Sequence, residues 1–257
     1  MAAYNCDNSF CCRMVYTQTS WNVMRFFGRL KYIPNVFLDF ILPRFCCSCK
    51  TKLNINQDTI CDKCFSKIQK STSARLQHEF ERKFEDKKII ADFYAPFIFE
   101  KDKELQHAIH SLKYEKKFRI GIFLGTILAS AIKKEKPNWQ FDTVIPIPLH
   151  RLKKAERGYN QSYYIAKGVE NILDVNSSDR IVKRIKYTES QTKMNLNERE
   201  DNISNAFKVR KKNIAEGKNI LLLDDVITTG ATISECGKIL LEAGANKIYA
   251  ASIAIAD

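Results

Sequence analysis

The apolar pattern is clearest near the C-terminus. Ile220, Leu221, Leu222 and Leu223 run without interruption into the paired acids Asp224 and Asp225. A run of this kind suits a strand buried on both faces, as in a parallel sheet. Beyond a turn rich in Thr and Gly, the period changes: Ile233, Cys236, Ile239, Leu240 and Ala243 share one helical face, and Gly244 stands where a left-handed cap ends the helix. The unit is strand, loop, helix. The same reading along the chain predicts one or two strands over 89–99, a helix over 105–114 with Leu105, Ile109 and Leu112 inward, and a helix over 121–132. A short strand over 143–145 follows, stopped by Pro146 and Pro148, then a basic loop and a helix over about 162–172. Strands over 181–185, 205–209 and 247–256 complete the pattern.

Other stretches lack a period. Residues 1–35 scatter Cys6, Cys11, Cys12, Trp21 and Phe26 without order, and Met1, Met14 and Met24 are alternative starts. Val36, Phe37, Phe40 and Ile41 suggest a short amphipathic helix, which could dock on its neighbour or touch a membrane surface. Residues 71–88 are polar enough to read as a linker or an exposed helix with a solvated face. Residues 187–202 are long, polar and unpatterned, as lids often are. The resulting division is an N-terminal extension (1–35), a cysteine module (36–70), a linker (71–88) and a main domain (89–257).

Composition narrows the class. With 257 residues, 45% of them hydrophobic, the chain can bury one ordinary core and a small module. No apolar stretch reaches the ~20 residues of a membrane span, and no continuous signal-peptide core is present, so a cytoplasmic location is expected. The formal charge of +13 leans toward the front third, and suits either a polyanion partner or plain solubility. Nine cysteines, an odd number, favour metal ligation or free thiols over a disulfide framework.

Three patterns carry chemistry. The turn Val226, Ile227, Thr228, Thr229, Gly230, Ala231 and Thr232 offers backbone N–H groups and hydroxyls to a phosphate at a helix N-terminus. Asp224 and Asp225 beside it can accept hydrogen bonds from vicinal hydroxyls, near a magnesium–phosphate complex. The basic loop holding His150, Arg151, Arg157 and Gly158 suits a pyrophosphate, with Arg157 the better bidentate donor; a merely solvated loop is the alternative. The third is a pair of CxxC knuckles, Cys46/Cys49 and Cys61/Cys64, eleven residues apart, the pattern of a closed structural zinc site. Spacing does not separate Cys47 from Cys49, and an iron–sulfur centre is the rival occupant. His107 and His110, at i and i+3, read as packing or surface histidines rather than ligands.

The run Leu221 to Thr232 resembles the phosphoribosyl-pyrophosphate (PRPP) motif of type I phosphoribosyltransferases. With the double CxxC, Ile109-His110-Ser111-Leu112-Lys113-Tyr114, Pro146-Ile147-Pro148-Leu149-His150, Arg157-Gly158-Tyr159-Asn160-Gln161 and Ser190-Gln191-Thr192 through Arg199, the chain from about residue 36 resembles the ComF (GntX-like) family. The resemblance implies an α/β fold: a five-stranded, mainly parallel sheet with flanking helices behind a zinc-ribbon-like module. It implies that Asp224 and Asp225 meet the ribose 2′ and 3′ hydroxyls, that residues 226–232 cradle the 5′-phosphate, and that the Arg157 loop takes pyrophosphate. Gln191, Thr192 and Arg199 would lie on a flexible loop closing over PRPP. Zinc and magnesium are the implied metals. Single-stranded DNA and competence or DNA-processing proteins are the implied partners, in DNA uptake during natural transformation. The expected activity is a PRPP-dependent phosphoribosyl transfer to an unidentified acceptor. The alternative is a non-catalytic DNA-binding or adaptor protein whose PRPP site is a sensor or a relic.

Overall fold

The computed structural model describes residues 43–187 and 205–256. The amphipathic segment at 36–41, the cysteines of the N-terminal extension, and Gln191, Thr192 and Arg199 lie outside them. The strands are β1 (Asp92–Tyr94), β2 (Phe97–Ile98), β3 (Thr143–Pro146), β4 (Val182–Arg184), β5 (Phe207–Val209), β6 (Asn219–Ile227) and β7 (Lys247–Ile255). The helices are α1 (Asp62–Phe65), α2 (Ser73–Phe80, continued as a π-helical turn Glu81–Glu85), α3 (Glu104–Tyr114), α4 (Phe118–Glu135), α5 (Arg151–Arg157), α6 (Gln161–Leu173), α7 (Lys212–Ala215) and α8 (Ala231–Glu242).

The sheet grows outward from β6 and β7, the two longest strands. Its order is β1-β7-β6-β3, and β2 pairs with β7 beyond β1. Five strands thus fill four positions: β1 and β2 are two pieces of one edge, interrupted at Ala95 and Pro96, where proline offers no N–H. Every pairing in this sheet is parallel. β4 and β5 form a separate antiparallel ribbon.

Strand alternation divides the core in two. Leu221 and Leu223 pack with Leu112, Leu124, Leu128 and Ile165 on the face covered by α3, α4 and α6. Ile220 and Leu222 pack with Phe84, Phe93, Ile233 and Leu240 on the face covered by α2 and α8. All four of these β6 side chains are fully buried, each worth about 1.5–3 kcal/mol against exposure. α8 ends as expected: the N–H of Gly244 donates to Leu241 O and that of Ala245 to Leu240 O, a Schellman closure.

Two segments depart from expectation. Residues 73–85 are helical, but one side is not solvated: Glu79, Lys83 and Phe84 are buried. Leu76, Phe80 and Phe84 recur every fourth residue and pack on that core, but this narrow stripe is set among so many charges that the segment reads as solvated. The basic stretch after β3 is the short helix α5 rather than a loop, and none of its residues is buried. With nothing to pack inward, it shows no amphipathic stripe. Among the described residues, no helix is long and apolar enough to cross a membrane.

Candidate functional site

The carboxyl ends of β3 and β6, neighbours in register from Thr143 opposite Ile220 to Pro146 opposite Leu223, open onto one edge of the sheet. Ligands of open α/β sheets bind on that edge. β6 runs on through both acids to Ile227, so Asp224 and Asp225 are strand residues projecting to opposite faces. Asp225 is buried, and its Oδ2 pairs with Lys113 Nζ of α3 at 2.6 Å. Its Oδ1 accepts from the N–H of Val226 at 2.8 Å. Asp224 Oδ1 accepts from Ser162 Oγ of α6 at 3.0 Å and from the N–H of Asp225 at 2.9 Å. Desolvation, then the charge of Asp225, pushes the Asp224 carboxyl up to about 7. Lys113 and the Ser162 hydrogen bond act the other way.

Beyond the acids, the chain turns through exposed Thr228 and half-buried Thr229 to Gly230, which caps α8 with φ 77°. A Cβ there would lie 2.7 Å from Phe84 Cε1, so the turn needs glycine for both conformation and space. The first N–H groups of α8 project from this turn, as in anion sites.

Opposite stands the basic side. His150 caps α5, its Nδ1 accepting from the N–H of Leu152 at 3.4 Å. Burial first, then the cations Arg151, Arg184, Lys183 and Lys153, hold the His150 imidazole below its usual range. Burial, then Arg184 and Arg157, likewise lower Lys153. Desolvation leads in both, and a concentrated positive field adds to it. Arg157 donates to Gln161 Oε1 at 3.0 Å and stacks 5.3 Å over the Tyr114 ring. Gly158 ends α5 with φ 81°.

The segment from Arg157 to Ser162 is a clasp in which each residue has a separate task. Tyr159 donates its hydroxyl to Leu112 O on α3. Asn160 donates to Ile147 O at 2.9 Å and caps α6 by accepting from the N–H of Ser162. Ser162 then reaches Asp224. The sequence reading names Lys113 only as part of the Ile109–Tyr114 segment and gives Ser162 no role. The signal for Lys113 was its place in the Ile109–Tyr114 segment, but its pairing with Asp225 spans 112 residues of sequence, beyond any local period.

The knuckles converge as the spacing predicts. The Sγ atoms of Cys46, Cys49, Cys61 and Cys64 all lie within 4.8 Å of one another, and could hold a metal ion. Four thiolates about 2.3 Å from a tetrahedral zinc stand about 3.8 Å apart, and Cys49 and Cys61 are separated by 3.7 Å. The N–H of Cys61 also points at Cys46 Sγ, 3.4 Å away. Cys47 stays out of the cluster, buried, and its N–H donates to Thr59 O. The module does not build its own core: Leu53, Ile60, Cys64 and Ile68 join the face of α3 and α4, and the Phe65 ring meets Phe97 and Phe123 edge-on. His107 Nδ1 lies 3.2 Å from Ser48 Oγ and His110 packs on Tyr114, so neither joins the cysteines.

Parallel sheet, acidic strand end and Thr-Gly turn define a phosphoribosyltransferase fold, and residues 159–256 match the phosphoribosyl transferase domain family. The chain is 29% identical to Competence protein F of Haemophilus influenzae over 220 residues, 79% of this chain and 93% of that one. It is 27% identical to Competence protein ComFC of Bacillus subtilis, over 78% of this chain and 79% of that one. To DNA utilization protein YhgH of Escherichia coli K12 it is 26% identical, over 61% and 66% respectively. These similarities support a ComF-family protein with a phosphoribosyltransferase domain behind a four-cysteine module.

Proposed function

We propose that this protein binds PRPP with magnesium at the carboxyl ends of β3 and β6 and acts in the uptake or processing of DNA during natural transformation. The observation that carries the binding site is the acid pair, Asp225 buried and Asp224 half-buried, held beside an anion-accepting turn. Asp224 and Asp225 accept from the ribose 2′ and 3′ hydroxyls, residues 226–232 hold the 5′-phosphate, and Arg151 and Arg157 meet the pyrophosphate with His150 and Gly158 shaping the approach. Magnesium, when bound, neutralises charge on the departing pyrophosphate. Transfer breaks the bond from ribose C1 to the pyrophosphate oxygen and forms one from C1 to a nucleophile, which gives up its proton. The acceptor class stays open in this proposal. The four thiolates bind structural zinc, and Gln191, Thr192 and Arg199 belong to a loop that closes over PRPP. The DNA role follows from what the relatives are called, competence and DNA utilization proteins.

The test is calorimetric titration of magnesium PRPP into the zinc-loaded wild type and Asp225→Asn. Binding in the first and its loss in the second is the expected result. A folded wild type that takes up no PRPP overturns the proposal.

A second reading, a non-catalytic single-stranded DNA binder or adaptor with a vestigial or sensing PRPP site, draws on one feature. Lys153 lies over the Tyr187 ring, 5.8 Å from its centroid, and His150 meets the same ring edge-on, so cation and aromatic lie together as on single-strand platforms. Binding of an oligonucleotide that weakens steeply with salt, without any PRPP binding, selects this alternative.

A further inference from the structure

Helix α2 and its π-helical turn lie under the phosphate turn, and their buried charges have no task in the chemistry above. Glu79 is 1% exposed and gathers three cations: Arg75 at 2.9 Å, Arg82 at 2.6 Å and Lys83 at 3.0 Å. Lys83 is itself buried. Its ammonium donates to the carbonyl of Thr228, inside the turn, and to that of Ala256 at 3.1 Å, just past the end of β7. The next residue, Phe84, sits under Gly230 and packs on Phe93 with ring centroids 5.6 Å apart. The segment carrying both is the π-helical turn, a geometry that recurs at functional sites.

Burying an ammonium is costly, and desolvation lowers the basicity of Lys83 despite Glu79. A hydrophobic residue would pack here at less cost, whereas an ammonium adds donors aimed at two carbonyls just beyond the ends of separate strands. A peptide group whose carbonyl is pinned inward presents the following N–H groups outward. We infer that Lys83, held by Glu79, is a positioning residue of the phosphate turn: it fixes the Thr228 carbonyl against the end of β7 so that the N–H groups of 229–232 stay turned toward the anion. The role deepens the PRPP proposal and rests on it for the identity of the ligand. The placement of the ammonium does not.

The test uses the full zinc-loaded chain carrying Lys83→Met, which keeps the shape and removes the charge, beside Lys83→Arg. Because the single variant leaves Glu79 with one cation fewer, Glu79→Gln with Lys83→Met serves as a second form. Leu128→Ala, in the core of the opposite face, is a control for lost stability alone. Two quantities are read: amide hydrogen exchange of 228–232 without ligand, and the dissociation constant for magnesium PRPP. Lys83→Met is expected to speed exchange in the turn and to weaken PRPP binding by about 10- to 100-fold, the range for a lost charged hydrogen bond. Lys83→Arg is expected to recover part of both, and Leu128→Ala to change neither by more than about twofold. Met variants that melt earlier yet keep turn protection and affinity at the control's level would overturn the inference. Should the wild type bind no PRPP, the ligand proposal falls, and exchange in the turn still decides the task of Lys83.

Discussion

Two βα units meet at the candidate site, and they are built on opposite plans. The unit from β6 to α8 carries its acids inside the strand, each carboxylate held by named partners, and crosses to its helix through a cramped turn. The unit from β3 to α6 carries its cations on α5, which buries none of its own residues, and crosses through an open one. The acids are preorganised, whereas of the cations Arg157 is tied to Gln161 and Tyr114 while exposed Arg151 and Lys154 can adjust. A sugar's hydroxyls need fixed acceptors at fixed spacing, whereas a multiply charged group is held by field strength and tolerates mobile donors. That division matches a ligand with a rigid ribose and a flexible polyphosphate tail.

The left-handed glycines of these two turns, Gly230 and Gly158, give the sharpest way to break the comparison. Gly230→Ala forces a side chain into the αL region and onto Phe84, and is expected to cost about 2–4 kcal/mol, the αL penalty plus overpacking. Gly158 has nothing within 4 Å of an added Cβ, so Gly158→Ala is expected to cost only the backbone term, about 1–2 kcal/mol. Chemical denaturation of both variants measures the difference. Equal losses would mean that the two turns are equally confined.

The contrast also explains what the sequence made legible. The β6 run, the α8 stripe, Gly244 and the knuckles are local patterns, because neighbours in sequence pack against the same partner. Cys49 was separable from Cys47 only in three dimensions, since a slip of two residues keeps a plausible pair. Lys113, Ser162 and Lys83 act across the fold through single polar atoms, which leave no period. Helix α5 was missed for a related reason: a helix with nothing buried looks like a solvated loop.

Next in size is Ser162→Ala, which removes the one hydrogen bond joining the basic unit to Asp224 and is expected to cost about 1.5 kcal/mol. The same hydroxyl lowers the Asp224 pKa, so its loss moves that titration further up. The sign of the pH effect follows. Asp224 binds its proton more tightly folded, at about 7, than unfolded, at 3.8, so the folded state holds the extra proton between these values. Stability from this group is present below the unfolded value and is lost as pH rises through about 7. Asp224→Asn is expected to remove that decline, seen as the difference between two denaturation series from pH 4 to 8. Parallel series would show Asp224 to be an ordinary carboxylate.

The smallest effect tests whether the basic unit serves a longer polyanion. Lys154 is exposed on α5, so Lys154→Ala should change stability by no more than about 0.5 kcal/mol. A single-stranded oligonucleotide lying along α5 would lose one phosphate contact, and the slope of log affinity against log salt should then flatten by about 0.7. Magnesium PRPP, which is short and placed by the acids and the Thr-Gly turn, should bind the variant almost as well as the wild type. An unchanged salt slope with weakened PRPP binding reverses the assignment. The adjustable cations would then serve the small ligand alone, and any DNA contact would lie elsewhere on the basic surface.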